Sequence, residues 1–194
     1  PVPADEAATE AAIATAEAAL ARQAAEVEMR GTARAADMEA LRVSLDTLFW
    51  AWPVKKKVIA EALLAEPLRA DGYPSVEAAK VAVTLVRQVR EAVRKVRDRL
   101  GETPVHDWLA RAQVPGVPES VHVAVQLITG HDEDRATVEN SIGWGKSHSH
   151  AGHVLASLEE LSRIEASSAL AAVWRHRKQV PAHLREAIFG SAEA

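Results

Sequence analysis

The sequence contains no cysteine. Disulfide bonds, thiol nucleophiles and thiolate-bound metals are therefore excluded together, as is usual for a protein kept in a reducing compartment. Long hydrophobic runs are also missing, since no stretch reaches the roughly 20 apolar residues that span a bilayer. The first 30 residues carry many acidic side chains, unlike the basic and apolar start of a signal sequence. We therefore expect a cytoplasmic protein with no membrane partner.

The sequence also has few aromatic side chains and no excess of positive charge. The formal net charge of -4 excludes a globally basic binder of the histone kind, so any phosphate contact must come from a local cluster. Only 4% of the residues are aromatic, whereas 48% are hydrophobic and many of these are alanine. Alanine is the best helix former and is depleted in strands. The composition predicts an all-α fold with a core of Ala, Val and Leu.

The N-terminal region, residues 1–52, shows a narrow helical seam. Ile13, Leu20 and Val27 recur every seven residues, with Ala16 and Ala24 between them. Gly31-Thr32 is typical of a helix stop followed by a new N-cap, and a second helix is expected over 33–50. The pattern predicts an N-terminal helical hairpin or an oligomerising coiled coil, followed by a helical bundle.

Two further regions follow, at 53–113 and 119–194. The first contains a long basic helix, expected at 76–100 after Ser75 as N-cap, whose arginines include Arg94 and Arg97. In the second, residues 121–128 alternate like a strand but also form a helical stripe, and we favour a helix because no partner strand is apparent. We further expect an acidic helical turn at 132–139 and a loop at 140–146. Helices at 147–163, up to Lys178 and, as a short last helix, after Pro181 complete the prediction.

Residues 140–147 nearly match the glycine-rich loop that holds nucleotide phosphates with backbone amides and a lysine. Asn140 stands where the first glycine belongs. The loop should also follow a buried strand, whereas residues 132–139 are acidic and indicate a helix. We therefore interpret the segment as a glycine-rich turn before a helix, in which Lys146 remains a candidate phosphate contact.

Three histidines form a second apparent signature. His148, His150 and His153 resemble in spacing the His-x-His-x-Asp-His run of metallo-β-lactamase-like hydrolases, but Gly152 replaces the aspartate and that fold needs β-sheets. On a helix, His150 and His153 share a face while His148 points away. A metal site would need a ligand from another helix, such as His131 or His176. The alternative is that the histidines flank an apolar stripe without binding metal.

Other catalytic patterns are not supported. No serine lies in a strand-to-helix elbow, which excludes an argument for a Ser/His/Asp triad. The neighbouring carboxylates Asp132, Glu133 and Asp134 are expected to be charges at a helix start, where the helix dipole favours them. We therefore assign no catalytic residue and no cofactor.

A basic cluster closes the last long helix. Trp174 is followed by Arg175, Arg177 and Lys178, which place three fixed positive charges and an aromatic ring at a helix end. This combination favours phosphate contact and base stacking. Cations also prefer helix C-termini for purely local reasons, and the same alternative applies to the basic helix that carries Arg94 and Arg97.

A wider pattern connects these segments: Asp134, Ala136, Asn140, Gly143-Trp144, Lys146, Gly152-His153, Leu155-Ala156, Leu161-Ser162, Trp174 with Arg175 to Gln179, and Pro181. It resembles a short module of some large bacterial and phage helicase-like proteins. In that module an Asn-Gly-x-Gly-Phe-x-Lys-x-Asp segment precedes a Gly-x-x-Leu-Ala helix, and a second helix ends in a Lys-Tyr-x-x-Gln-Leu-Pro run. The resemblance covers residues 132–184, about a quarter of the chain.

The match departs from the module at three positions. Ser141 replaces a glycine, Trp144 replaces a phenylalanine, and His148 stands where the aspartate would be. The resemblance implies association with nucleic-acid processing and does not imply an activity.

The sequence thus favours a helical module that binds nucleic acid or a nucleic-acid-processing protein. The predicted contacts are Lys146, Trp174, Arg175, Arg177, Lys178, Arg94 and Arg97. One alternative is a structural or assembly subunit, of a phage or a multiprotein complex, that acts through its helical seams. A second is a metal-dependent enzyme that uses the three histidines. Both binding hypotheses allow a homo-oligomer.

Overall fold

The computed structural model describes residues 3–132, 143–145 and 147–190. Within these residues the chain forms α-helices joined by short turns, and no β-strand occurs there. The predicted all-α fold is confirmed. The helices are α1 (Pro3–Thr47), α2 (Val54–Leu64), α3 (Val76–Glu102), α4 (His106–Leu109), α5 (Val117–Gly130), α6 (Ser149–Ala156), α7 (Arg163–His176) and α8 (Ala182–Phe189).

The chain divides into two compact units, Pro1–Arg87 and Gln88–Ala194, and the division falls inside α3. The ambiguous residues 121–128 belong to α5, so the preference for a helix there is confirmed. Most of the acidic turn predicted at 132–139, and most of the loop predicted at 140–146, lie outside the described residues.

The turn predicted at Gly31-Thr32 is wrong, because α1 continues through it as one helix of 45 residues. Gly31 is buried against the ring of Tyr73, which occupies the place where a Cβ atom would lie. Thr32 satisfies its hydroxyl within the helix by donating to the carbonyl of Glu28 at 3.0 Å. The glycine therefore permits a close approach of another segment and does not end the helix.

Tertiary packing in the first unit begins at this glycine. Residues 6–30 of α1 are exposed, whereas Leu41, further along the same helix, is fully buried. Trp52 is also buried and donates from Nε1 to the carbonyl of Ser44 at 3.0 Å. Arg34 pairs with Asp71 at 2.7 Å. The backbone amide of Tyr73 and Arg34 both donate hydrogen bonds to the Asp71 carboxylate and hold its pKa below the usual value.

The second unit is a helical bundle around α5. Val121, Val125 and Ile128 are fully buried on one face of this helix, which packs against α6, α7 and α8. Hydrogen bonds also tie the short segments in place, since the amide of Val105 donates to Ser167 Oγ at 2.9 Å. None of the helices in the described part of the chain combines the length and apolar character needed to cross a membrane.

The helix predicted at 147–163 is shorter than expected and covers Ser149–Ala156. A new helix start explains the difference. Ser162 caps α7 by accepting from the amide of Glu165, while the Glu165 side chain accepts from the amide of Ser162 at 2.8 Å. This reciprocal capping box favours a break before Arg163 over one continuous helix.

Candidate functional site

The second unit contains a buried carboxylate. Asp132 lies two residues after the end of α5 and is completely buried. Its Oδ1 accepts from the backbone amide of Trp144 at 3.2 Å. Its Oδ2 accepts from Ser149 Oγ at 2.8 Å and from His153 Nε2 at 3.0 Å. We call these four residues the Asp132 cluster; its hydrogen bonds connect the end of α5, the 143–145 segment and α6.

Trp144 fills the space between these elements. The residue is 1% exposed, and its Nε1 donates to Thr129 Oγ1 on α5 at 2.8 Å. On α6, the ring lies where a Cβ atom of Gly152 would be, so only glycine fits at that position without displacement. The ring of His176 packs edge-on against it at a centroid distance of 5.2 Å. Trp144 is therefore a packing residue in this structure.

Gly143 and Gln179 form a clasp beside the cluster. Gly143 adopts a φ of 75°, and its backbone passes so close to Asp132 that a Cβ atom would lie 2.8 Å from the Asp132 Cα. The Gln179 side chain accepts from the Gly143 amide at 2.8 Å and donates to the Gly143 carbonyl at 2.9 Å. The residues after α7 thereby hold the segment that carries Trp144.

The Asp132 cluster contains Ser, His and Asp side chains, but its geometry is not that of a triad. In a triad the serine hydroxyl donates to the histidine, which removes its proton. Here the hydroxyl of Ser149 donates to the carboxylate, and Ser149 and His153 are both 6% exposed. The described arrangement orients Ser149 and His153 and holds three segments together.

The sequence around Asp132 does not predict this role, because the neighbouring Asp132, Glu133 and Asp134 indicate charges at a helix start. The role rests on the complete burial of Asp132 and on the three hydrogen bonds that its carboxylate accepts. A buried carboxylate of this kind depends on residues 12, 17 and 21 positions away, and the local sequence carries no signal for such partners. The sequence shows glycines at 143 and 152, but it does not show that the ring of Trp144 requires a glycine at 152.

The three histidines proposed as metal ligands point to different surroundings. His153 is directed at Asp132, His148 faces the ring of His176 at 5.6 Å, and His150 is exposed. Among the described residues, no group of three or more His, Cys, Asp or Glu side chains is placed to hold a metal ion. The metal hypothesis therefore has no preassembled ligand set in this part of the chain.

His148 and His176 form a half-buried pair beside the basic helix end. Burial holds the pKa of both imidazoles below the usual value, and the nearby Arg175 guanidinium lowers both further. His176 also lowers the pKa of His148, while the Asp132 carboxylate partly offsets the shift of His176. Both rings therefore favour the neutral form near neutral pH.

The basic cluster predicted after Trp174 is present at the end of α7 and in the turn that follows it. Arg175 and Lys178 are exposed, and neither forms an ion pair with any described residue. Arg177 lies over the indole of Trp174 at 4.2 Å from the ring centroid and donates to the Trp174 carbonyl at 2.9 Å. We call Arg175, Arg177 and Lys178 the basic end of α7.

Trp174 itself is partly exposed and belongs to an aromatic group. Its ring centroid lies 5.7 Å from that of Trp108 and 5.0 Å from that of Phe189. With Arg177 over the ring as well, the indole supports the guanidinium and the packing of α8. The predicted contact Lys146 lies outside the described residues.

The two predicted contacts on α3 differ from each other. Arg94 forms ion pairs with Glu91 at 2.8 Å and Asp98 at 3.2 Å on the same helix. The hydrogen bond between Arg94 and Glu91 raises the pKa of the guanidinium and lowers that of the carboxyl. Arg97 is exposed and forms no ion pair within the described ranges. Two carboxylates of the same helix thus compensate the charge of Arg94, whereas no described carboxylate pairs with Arg97.

Comparison with protein-family models, with curated proteins and with solved structures gives no match for this chain.

Proposed function

We propose that this chain is a helical nucleic-acid-binding module that contacts phosphates through the basic end of α7. The observation that carries the proposal is that three cations lie within four residues and that none of them is paired with a described carboxylate. Arg175 and Lys178 are exposed without an ion pair to the described residues, and Arg177 is held in place over Trp174. When such cations neutralise phosphates, the counterions condensed on the nucleic acid are released, and this release supplies most of the affinity of nonspecific binding.

The position of Arg177 supports the proposal further. A guanidinium that is already oriented by a carbonyl and an aromatic face loses less conformational freedom on binding than a free side chain. One face of Trp174 is covered by Arg177, so we assign the ring to support of the arginine. Base stacking on that covered face is not part of the proposal.

The resemblance to the helicase-associated module agrees with this proposal. Several residues that carry it, including Gly143, Trp144, Gly152 and Gln179, build the clasp and the packing around Asp132. Those residues would stabilise the fold of the module. Arg175, Arg177 and Lys178, which belong to the same stretch of sequence, would then be the residues that contact nucleic acid. Lys146 and Arg97 remain proposed additional contacts.

The experiment is oligonucleotide binding by fluorescence anisotropy over a range of salt concentrations, with single- and double-stranded probes. The variant Arg175→Glu/Lys178→Glu should weaken binding at least about tenfold and reduce the salt slope by about 1.4 to 1.8, as expected for two lost phosphate contacts. Unchanged affinity and slope in a folded double variant would refute the proposal.

Two arginines that are already paired provide matched controls. Arg42 pairs with Glu39 at 2.6 Å in the first unit, and its side chain is 60% exposed. The change Arg42→Glu should leave binding nearly unchanged although it alters the charge by the same amount per site. Within α3, Arg94→Gln should reduce affinity less than Arg97→Gln, because only Arg94 is neutralised by neighbouring carboxylates.

An assembly subunit is the second candidate function. The observation that favours it is the exposed helical seam of α1, where Ile13, Leu20 and Val27 are 52%, 65% and 50% exposed. Absence of oligonucleotide binding at low salt, together with self-association of the chain, would favour this alternative over the first.

A further inference from the structure

The seam of α1 has no partner within the described part of the chain. A hairpin with a turn at Gly31 would cover it, but α1 is continuous and residues 6–30 are exposed. Three large apolar side chains on one stripe of a solvated helix are unfavourable unless something buries them. Their spacing of seven residues is that of a helix that packs lengthwise against another helix.

The spacing of this seam is symmetric about Leu20. Ile13, Ala16, Leu20, Ala24 and Val27 follow one another at intervals of three, four, four and three residues. A helix with this pattern presents the same stripe when it is turned end for end. Two copies related by a two-fold axis at Leu20 would place Ile13 of each copy against Val27 of the other, and Ala16 against Ala24.

The distribution of charge along the seam favours the antiparallel orientation. Glu10 lies three residues before the seam and Arg30 three residues after it. Glu6, Glu10 and Glu17 precede Leu20 with no cation among residues 6–19, whereas residues 21–30 carry Arg22 and Arg30 together with Glu26 and Glu28. The half before Leu20 is therefore acidic, and the half after it has no net charge. A parallel pair would set glutamates against glutamates, which is destabilising. An antiparallel pair would set Glu10 of each copy against Arg30 of the other.

We propose that a second copy of this chain packs antiparallel on α1, with the two-fold axis at Leu20. Ala16 and Ala24 permit a short distance between the helix axes, and residues 6–30 provide a contact about 37 Å long at 1.5 Å per residue. The dimer does not depend on nucleic-acid binding, because none of its residues belongs to the basic end of α7.

The absence of native cysteine makes disulfide crosslinking a direct test. In the full chain, Leu20→Cys should form a crosslinked dimer under mild oxidation. Ile13→Cys alone should not crosslink, but a mixture of Ile13→Cys and Val27→Cys should give the mixed dimer after subunit exchange. Ala18→Cys, on the opposite face of the helix, is the matched control and should stay monomeric on a denaturing gel.

Specific results would overturn the proposal. Efficient homodimers of Ile13→Cys would mean a parallel pair. Sedimentation of the wild-type chain as a monomer at about 100 μM would mean that another partner covers the seam. A dimer that Leu20→Glu leaves intact would mean that the interface lies elsewhere on the chain.

A charge exchange tests the orientation without cysteine. Arg30→Glu and Glu10→Arg should each weaken the dimer about three- to tenfold, since each replaces two opposed pairs by like charges. The double variant Glu10→Arg/Arg30→Glu should restore the affinity. Arg30 also pairs with Glu26 on its own helix at 2.6 Å, and Glu26→Gln therefore controls for the loss of that bond. Failure of the double variant to recover would contradict the proposed opposition of these residues.

Discussion

The Asp132 cluster and the basic end of α7 lie in the same stretch of sequence, but the charge of the first is buried and that of the second is exposed. Asp132 is fully buried, and three donors of the protein satisfy its carboxylate. Arg175 and Lys178 are exposed, and no described carboxylate pairs with them. Buried polar groups need internal partners, whereas exposed charges remain available for a ligand. The residues of the Asp132 cluster therefore stabilise the fold, whereas Arg175 and Lys178 remain available to contact a ligand.

A short run of the chain serves both purposes. Gln179 clasps Gly143, and His176 packs on Trp144, so these side chains face the cluster. Arg175 and Lys178 alternate with them and are exposed. Substitutions in the cluster should therefore change the free energy of unfolding, and substitutions at the basic end should change binding.

The largest expected effect is that of Asp132→Ala. The change leaves the Trp144 amide, the Ser149 hydroxyl and His153 without their buried acceptor. Losing one partner of such a network costs about 3 kcal/mol or more. Urea unfolding followed by circular dichroism measures the loss. The exposed Asp98, which pairs with Arg94, is the control, and Asp98→Ala should change stability by less than about 1 kcal/mol. Equal effects of the two variants would contradict the assigned role of Asp132.

Gly152→Ala should follow with a loss of about 1 to 3 kcal/mol, because the added methyl group collides with the ring of Trp144. Thermal unfolding would show a lower Tm. A smaller residue at 144 should relieve the collision, so Trp144→Leu should cost less in the Gly152→Ala background than in the wild type. Additive losses in this double-mutant cycle would show that the two positions do not interact.

Much of the fold could be predicted from local properties of the sequence. Alanine content, the N-cap at Ser75, which accepts from the Ala78 amide at 3.0 Å, and the missing partner strand for residues 121–128 all point to helices. Gly31 could not be interpreted correctly in the same way. A glycine that ends a helix and a glycine that admits the ring of Tyr73 look alike in sequence, since the ring comes from 42 positions away.

The basic end of α7 could be predicted because its charges are adjacent in sequence. The Asp132 cluster could not, because its members come from three segments and only their burial gives them their role. Arg94 on α3 differs from Asp132, because its partners Glu91 and Asp98 lie only three and four residues away on the same helix. That spacing could distinguish Arg94 from Arg97 in the sequence alone.

Acidification should lower the free energy of unfolding through His148 and His176, by less than the Asp132→Ala or Gly152→Ala substitutions do. Burial holds the pKa of both below the usual value of about 6.5, so the unfolded chain takes up protons first as the pH falls. The free energy of unfolding should be highest above pH 7 and should decrease as the pH falls through about 6.5. Urea titrations between pH 8 and pH 5 measure this. The slope should flatten in His148→Gln/His176→Gln and persist in His183→Gln, at an exposed position. A slope that is the same in all three proteins would assign the pH dependence to other groups.

The smallest change in stability is expected at Arg177, which touches both halves of the comparison. It lies over Trp174 and donates to a carbonyl, but its side chain is partly exposed. Arg177→Met keeps the stem of the side chain and removes the charge, and should cost less than about 1 kcal/mol of stability, the usual range of an exposed cation–π contact. Oligonucleotide affinity should fall more than stability does, and Arg177→Lys should recover part of the affinity but not the oriented contact. If Arg177→Met instead lowers the free energy of unfolding as much as Asp132→Ala does, Arg177 stabilises the fold in the same way as the Asp132 cluster. The basic end of α7 would then not be a surface set apart for ligand contact.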